Sequence, residues 1–88
     1  MGTIQNEGDA AGMTWLPLDS KMLTSVTYDQ DCQLLYLRFR KTGDVYRYFG
    51  VPAAEYKAFL DAESRGRFFL AKIRDCYRYE RLAKLRAA

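Results

Sequence analysis

The chain has 88 residues, 49% apolar and 15% aromatic, with 14 Lys or Arg against 11 Asp or Glu and no histidine. That length specifies one domain with a simple core, and the apolar content excludes wholesale disorder. There is no apolar run of about 18 residues for a membrane span and no basic start followed by an apolar core for a secretory signal, so a cytoplasmic protein is expected.

Residues 1–14 open with a small, polar stretch lacking periodicity and are expected to form a disordered leader before a single domain at 15–78. Trp15, Leu16 and Leu18 flank Pro17 in an extended segment, with Trp15 expected to cover an open side of the core. Leu23 to Tyr28 alternates and is rich in β formers, a first strand. Asp29 to Cys32 supplies a turn of four residues, which sets Tyr28 opposite Gln33 and Val26 opposite Leu35. Val26 and Tyr28 then face the core, with Leu23, Ser25 and Thr27 on the other side.

The run from Leu34 to Phe49 has two alternating apolar stretches about Thr42-Gly43 and reads as a β-hairpin. An even loop places Arg40 opposite Val45, Phe39 opposite Tyr46, Leu37 opposite Tyr48 and Tyr36 opposite Phe49. Leu35, Leu37, Phe39, Tyr46 and Tyr48 then share a core face, while Tyr36, Arg38, Arg40, Val45, Arg47 and Phe49 share the outer one. An odd loop would set these faces against each other and bury arginines. In this register Arg38 and Arg47 stand directly opposite each other, a like-charge pair that an anionic ligand would relieve.

Gly50-Val51-Pro52 ends the third strand and starts a helix at about Ala53 to Ala62, with Tyr56, Phe59 and Leu60 as its apolar stripe. Ser64 reads as the N-cap of a second helix beginning near Arg65 or Gly66, where the glycine marks a tight approach or an irregular first turn. Phe69, Ile73, Cys76 and Tyr77 recur as an inward stripe, and Arg67, Arg74, Arg78 and Arg81 form a cationic ridge if the helix is continuous. Residues 79–88 keep helical propensity with few apolar anchors and are expected to fray as a basic tail. The fold expected is α+β: a three-stranded antiparallel β-meander followed by two α-helices packed on one sheet face.

Charge is uneven along the chain: the net is −3 through Ser64 and +6 from Arg65 onward, a distribution suited to anionic partners. Cys32 and Cys76 lie 44 positions apart with no CxxC pattern, which supports neither a metal site nor a redox motif. Without histidine, a glycine-rich phosphate loop or an activated serine motif, neither catalysis nor a cofactor is expected.

Together these positions resemble the KTSC domain, a small family found at the C-terminus of some lysyl-tRNA synthetases and as a free-standing bacterial protein. The resemblance spans Ser20 to Tyr77 and is carried by Ser20, Tyr28-Asp29, Leu35-x-Leu37-x-Phe39, Gly43, Tyr46-x-Tyr48 and Gly50-Val51-Pro52. It continues through Ala62-x-Ser64-x-Gly66-x-Phe68-Phe69 and Ile73-Arg74-x-x-Tyr77. Lys21 replaces a common serine, Thr27 a common glycine, and Leu70 an expected asparagine. The resemblance implies a domain without an established activity, for which RNA binding has been suggested.

The residues point the same way, because single-stranded RNA is held by aromatic rings that stack on bases and by arginines that meet phosphates. Tyr36, Phe49, Arg38, Arg40 and Arg47 would contact RNA on the outer sheet face, with Arg67, Arg74, Arg78 and Arg81 steering it. Tyr46 and Tyr48 read as core rings whose hydroxyls reach a partner. The alternative is a protein-interaction module that pairs through the outer face or the edge of the meander.

Overall fold

The computed structural model describes residues 14–82. Five antiparallel strands in sequential order form one sheet: β1 (Leu16–Pro17), β2 (Leu23–Asp29), β3 (Leu34–Phe39), β4 (Val45–Phe49) and β5 (Tyr79–Leu82). Helices α1 (Ala53–Asp61) and α2 (Arg65–Phe68) lie between β4 and β5 in the chain. The α+β class, the antiparallel sheet and the two helices follow the sequence, but the sheet is not a three-stranded meander. No helix among the described residues is long and apolar enough to cross a membrane.

The two extra strands correct two expectations. Leu16 pairs with Val26 and Pro17 with Ser25, so the segment before the meander extends the sheet. Tyr79, expected to begin a fraying tail, pairs with Tyr48, and Leu82 reaches Val45. Residues 1–13 and 83–88, which contain most of the expected leader and the end of that tail, lie outside the described residues.

The hairpin has the expected parity with its register displaced by two. The four-residue connection Arg40–Gly43 is closed by the Gly43 N–H donating to the Phe39 carbonyl at 2.8 Å, and Gly43 adopts a φ of 78°, which costs a glycine little. Leu37 therefore opposes Tyr46, Leu35 opposes Tyr48 and Arg38 opposes Val45. An even shift leaves the two faces unmixed, and Leu35, Leu37 and Tyr48 are buried as the alternation requires. It does remove two expected pairs: Arg47 lies opposite Tyr36, so Arg38 and Arg47 do not confront each other, and Tyr36 does not oppose Phe49.

The turn before β3 shifts in the same way. Tyr28 opposes Leu35, and Val26 opposes Leu37. A bulge between Leu23 and Ser25 then returns Leu23, expected outside, to the core face opposite Phe39, where it is fully buried.

Gly50 turns the chain out of β4 at a φ of 73°, and Pro52 caps α1, where a missing N–H needs no partner. Phe59 is fully buried, with Tyr56 and Leu60 packed beside it, and Tyr56 stacks on Tyr28 with ring centroids 4.5 Å apart. Ser64 caps α2 as its sequence position suggests, its Oγ accepting from the Arg67 N–H at 3.2 Å.

From Phe69 to Ile73 the second helix widens into a π-helical turn, closed by the Arg74 N–H donating to the Phe69 carbonyl at 2.8 Å. The helix stops there. Phe69 and Ile73 are buried as expected, but Cys76 is exposed because it lies in the turn beyond the helix end.

Three substitutions test this fold by chemical denaturation. Phe59→Ala should cost about 3–5 kcal/mol by emptying a closed core site. Gly43→Ala should cost about 1–2 kcal/mol through its left-handed backbone, despite open space around it. Gly66→Ala should instead gain about 0.5–1 kcal/mol, since its Cβ would meet Met22 and Ser20 at an ordinary 3.6 Å.

Candidate functional site

The outer sheet face is not the exposed aromatic and basic surface that alternation alone suggests. Tyr36 is only 2% exposed, and the Arg47 guanidinium lies 5.9 Å from its ring centroid and 5.4 Å from that of Phe49. Arg47 also pairs with Glu80, the residue opposite it on β5, and hydrogen bonds to Glu80 and Tyr36 hold its pKa above the ordinary value. Arg38 donates to the Gly43 carbonyl at 3.0 Å and lies 5.4 Å over Trp15, so Trp15 sits against this face.

Arg40 leaves the face altogether. Its Nε donates to the Ser20 carbonyl at 2.9 Å, and one Nη reaches the carbonyls of Leu23 at 3.2 Å and Leu18 at 3.3 Å, tying the loop before β2 to the hairpin. Phe49 is half-buried beneath Arg47 and Arg78, the latter 5.1 Å from its centroid. These contacts engage each outer arginine within the fold, although the Nε of Arg47 is buried without a hydrogen-bond partner among the described residues.

The expected cationic ridge is dispersed, because the helix that would align it ends at Ile73. Arg67 is exposed on α2, Arg74 stands in the turn after it, Arg78 precedes β5, and Arg81 lies within β5 with its Nε 3.4 Å from Asp44. Of the nine residues expected to meet a ligand, only Arg74 borders the cleft on the opposite face of the sheet.

That cleft, of about 680 Å³, opens on the helix-bearing face, where the sheet runs out beyond α2. Its floor is aromatic: Tyr46 and Tyr48 project from alternate positions of β4, and Tyr79 pairs with Tyr48 from β5. The Tyr79 centroid lies 5.7 Å from Tyr46 and 5.6 Å from Tyr48, while the last two rings stack at 6.4 Å with 23° between their planes. Phe39 meets Tyr46 edge-on at 5.1 Å, and Phe69 forms the inner wall, 5.4 Å from Phe39 and 5.6 Å from Tyr48.

The rim is charged. Lys21, Lys41 and Arg74 border the cleft, with Asp44 as its one acidic lining residue among the described residues. Tyr79 is 54% exposed and Leu70, on the π turn, 39%, so a substantial aromatic and apolar surface is left open.

Sequence alternation identified Tyr48 as a core ring and placed Tyr46 beside it, but it missed their service as a floor. Tyr79 falls in a segment whose sequence reads as a fraying tail, so alternation does not place it on the floor. No period-two pattern marks residues 78–82, because the apolar Tyr79 and Leu82 fall three apart, at helical spacing, with charged residues between them.

Chemically, the cleft offers stacking surfaces and cations. Burial pushes the Tyr48 hydroxyl far above the ordinary tyrosine pKa of 10.0, so it remains protonated near neutrality. Away from the cleft, the exposed Cys32 thiol is also pushed up, chiefly by the charge of Asp29. Among the described residues no three His, Cys, Asp or Glu side chains stand together to hold a metal ion.

The Tyr48 environment makes stability depend on pH at the alkaline end. Above pH 10.0 the unfolded chain loses this proton while the folded chain keeps it, so stability falls as pH rises toward the higher folded-state pKa. Tyr48→Phe should flatten that decline by one tyrosine's share, measured as unfolding free energy against pH. Tyr28, Tyr56 and Tyr77, also shifted upward by burial, should account for much of what remains.

The sequence profile of the KTSC domain matches residues 19–79. An uncharacterized protein from Stutzerimonas stutzeri strain A1501 is 38% identical over 71 residues, covering 80% of this chain and 99% of the relative. The crystal structure of a KTSC domain protein from Yersinia pestis superposes with a TM-score of 0.77 at 33% identity, covering 82% of this chain and all of that one. The matched segment takes in β2, β3 and β4, both helices and the first residue of β5, and the chain belongs to the KTSC domain family.

Proposed function

We propose that this domain is a non-catalytic RNA-binding module that takes unpaired bases into the cleft formed by Tyr46, Tyr48 and Tyr79. The observation that carries the reading is a cleft whose floor leaves Tyr46 and Tyr79 partly uncovered beside the buried Tyr48, with Lys21, Lys41 and Arg74 on its rim. Bases stack on such rings for roughly 1–3 kcal/mol each, and Lys21, Lys41 and Arg74 can meet the flanking phosphates. Single-stranded RNA fits better than duplex because paired bases cannot present their faces to a tyrosine.

A second reading, assembly with a protein partner, is favoured by the outer edge of β5, which has no neighbouring strand among the described residues. The two readings differ in their response to salt. Phosphate contacts make affinity fall log-linearly with salt, whereas an apolar interface changes little.

NMR titration with a single-stranded RNA octamer should shift resonances of Tyr46, Tyr79, Leu70 and Arg74. Tyr79→Ala should weaken binding by about 1–3 kcal/mol, and Arg74→Ala should reduce the salt slope by about 0.7. Arg38→Ala, on the opposite face, should leave affinity unchanged. Shifts confined to the outer face, or none at all, would refute the cleft as the RNA site.

A further inference from the structure

We propose that the cleft selects guanine and reads its donor edge with the carboxylate of Asp44; this rests on the cleft being an RNA site. Asp44, Tyr46 and Tyr48 occupy alternate positions along one sheet face, with Asp44 just before β4. At about 3.3 Å per residue, Asp44 stands roughly 7 Å along the strand from Tyr46, so a purine resting on that ring brings its edge to the carboxylate.

An acid in a phosphate-binding cleft opposes the ligand's charge unless the base supplies something in return. The Asp44 side chain is 15% exposed, and a carboxylate so withdrawn from water requires hydrogen-bond donors. Arg81 Nε approaches at 3.4 Å, well beyond the 2.7–2.9 Å of a close charge-assisted bond, and a carboxylate has about four acceptor positions.

Guanine is the RNA base whose Watson–Crick edge presents two adjacent donors, N1–H and the N2 amino group, matched to the two oxygens of one carboxylate. Adenine and cytosine place a ring acceptor beside their single amino donor, and uracil flanks its N3–H with two carbonyls. Each of these would turn an acceptor toward Asp44 in a partly dehydrated cleft.

The test compares fluorescence-anisotropy affinities of the wild-type chain for the heptamers UUUGUUU, UUUAUUU, UUUCUUU and UUUUUUU at one salt concentration. The guanine-containing heptamer should bind about tenfold tighter than the others, and replacing its guanine by inosine, which lacks the N2 amino group, should remove most of that advantage. Asp44→Asn should weaken the guanine heptamer while slightly tightening the all-uridine one, because the variant loses a negative charge. A purely structural or electrostatic role would move every heptamer in the same direction and would overturn guanine reading. Equal wild-type affinities would overturn guanine selection and leave RNA binding standing; failure of every heptamer to bind would remove both.

Discussion

The edge-on closure of Phe69 against Phe39 and Tyr48 is the contact on which the arrangement of the domain depends. It holds the second helix over the middle of the sheet, with buried Ile73 securing the same arm one turn later. The first helix is drawn to the other side by Tyr56 stacking on Tyr28. The helical layer therefore leaves Tyr46 and Tyr79 partly uncovered, and the aromatic floor arises where that layer ends. The rings that close the core at Tyr48 continue outward as the lining of the cleft.

The π-helical turn at Phe69–Ile73 governs the path of the chain beyond it. Phe69 and Ile73, four apart, both face inward across it, and the Cys76 N–H donates to the Ile73 carbonyl as the helix gives way to a turn. Ending the helix there frees residues 79–82 to pair with β4 and adds Tyr79 to the floor. A regular helix through this region would have aligned Arg67, Arg74, Arg78 and Arg81 along one flank and left no fifth strand. Two geometries were available to the same residues, and pairing along β4 gives the backbone of β5 partners that a frayed tail would lack.

The arginines of the outer face show why cationic residues on a strand do not by themselves mark a ligand site. A guanidinium carries five donors on a plane and can cross-link carbonyls or lie over a ring. Arg40 joins three backbone carbonyls, Arg38 a hairpin carbonyl and Trp15, and Arg47 a carboxylate and two rings. Their geometry accounts for their presence as parts of the scaffold. Arg74 is different: it stands 54% exposed at the rim of an aromatic cleft, and its one ion-pair partner among the described residues is its exposed neighbour Asp75 at 3.5 Å, a pairing of little strength in water.

Much of the scaffold was legible because its signals are local. Period-two alternation assigned Leu35, Leu37 and Tyr48 to one face, Pro52 and Ser64 marked the helix starts, and the order of short motifs carried the family resemblance. The two-residue displacement of the hairpin register also preserves the faces, since an even shift returns every side chain to its side. The bulge that turned Leu23 inward, the widening of the second helix and the pairing of Tyr79 were settled by contacts between segments distant in the chain. The cleft belongs to that second group: alternation specifies the face on which a tyrosine stands, whereas the extent of the layer packed above it determines whether the ring is sealed in or left open to a ligand.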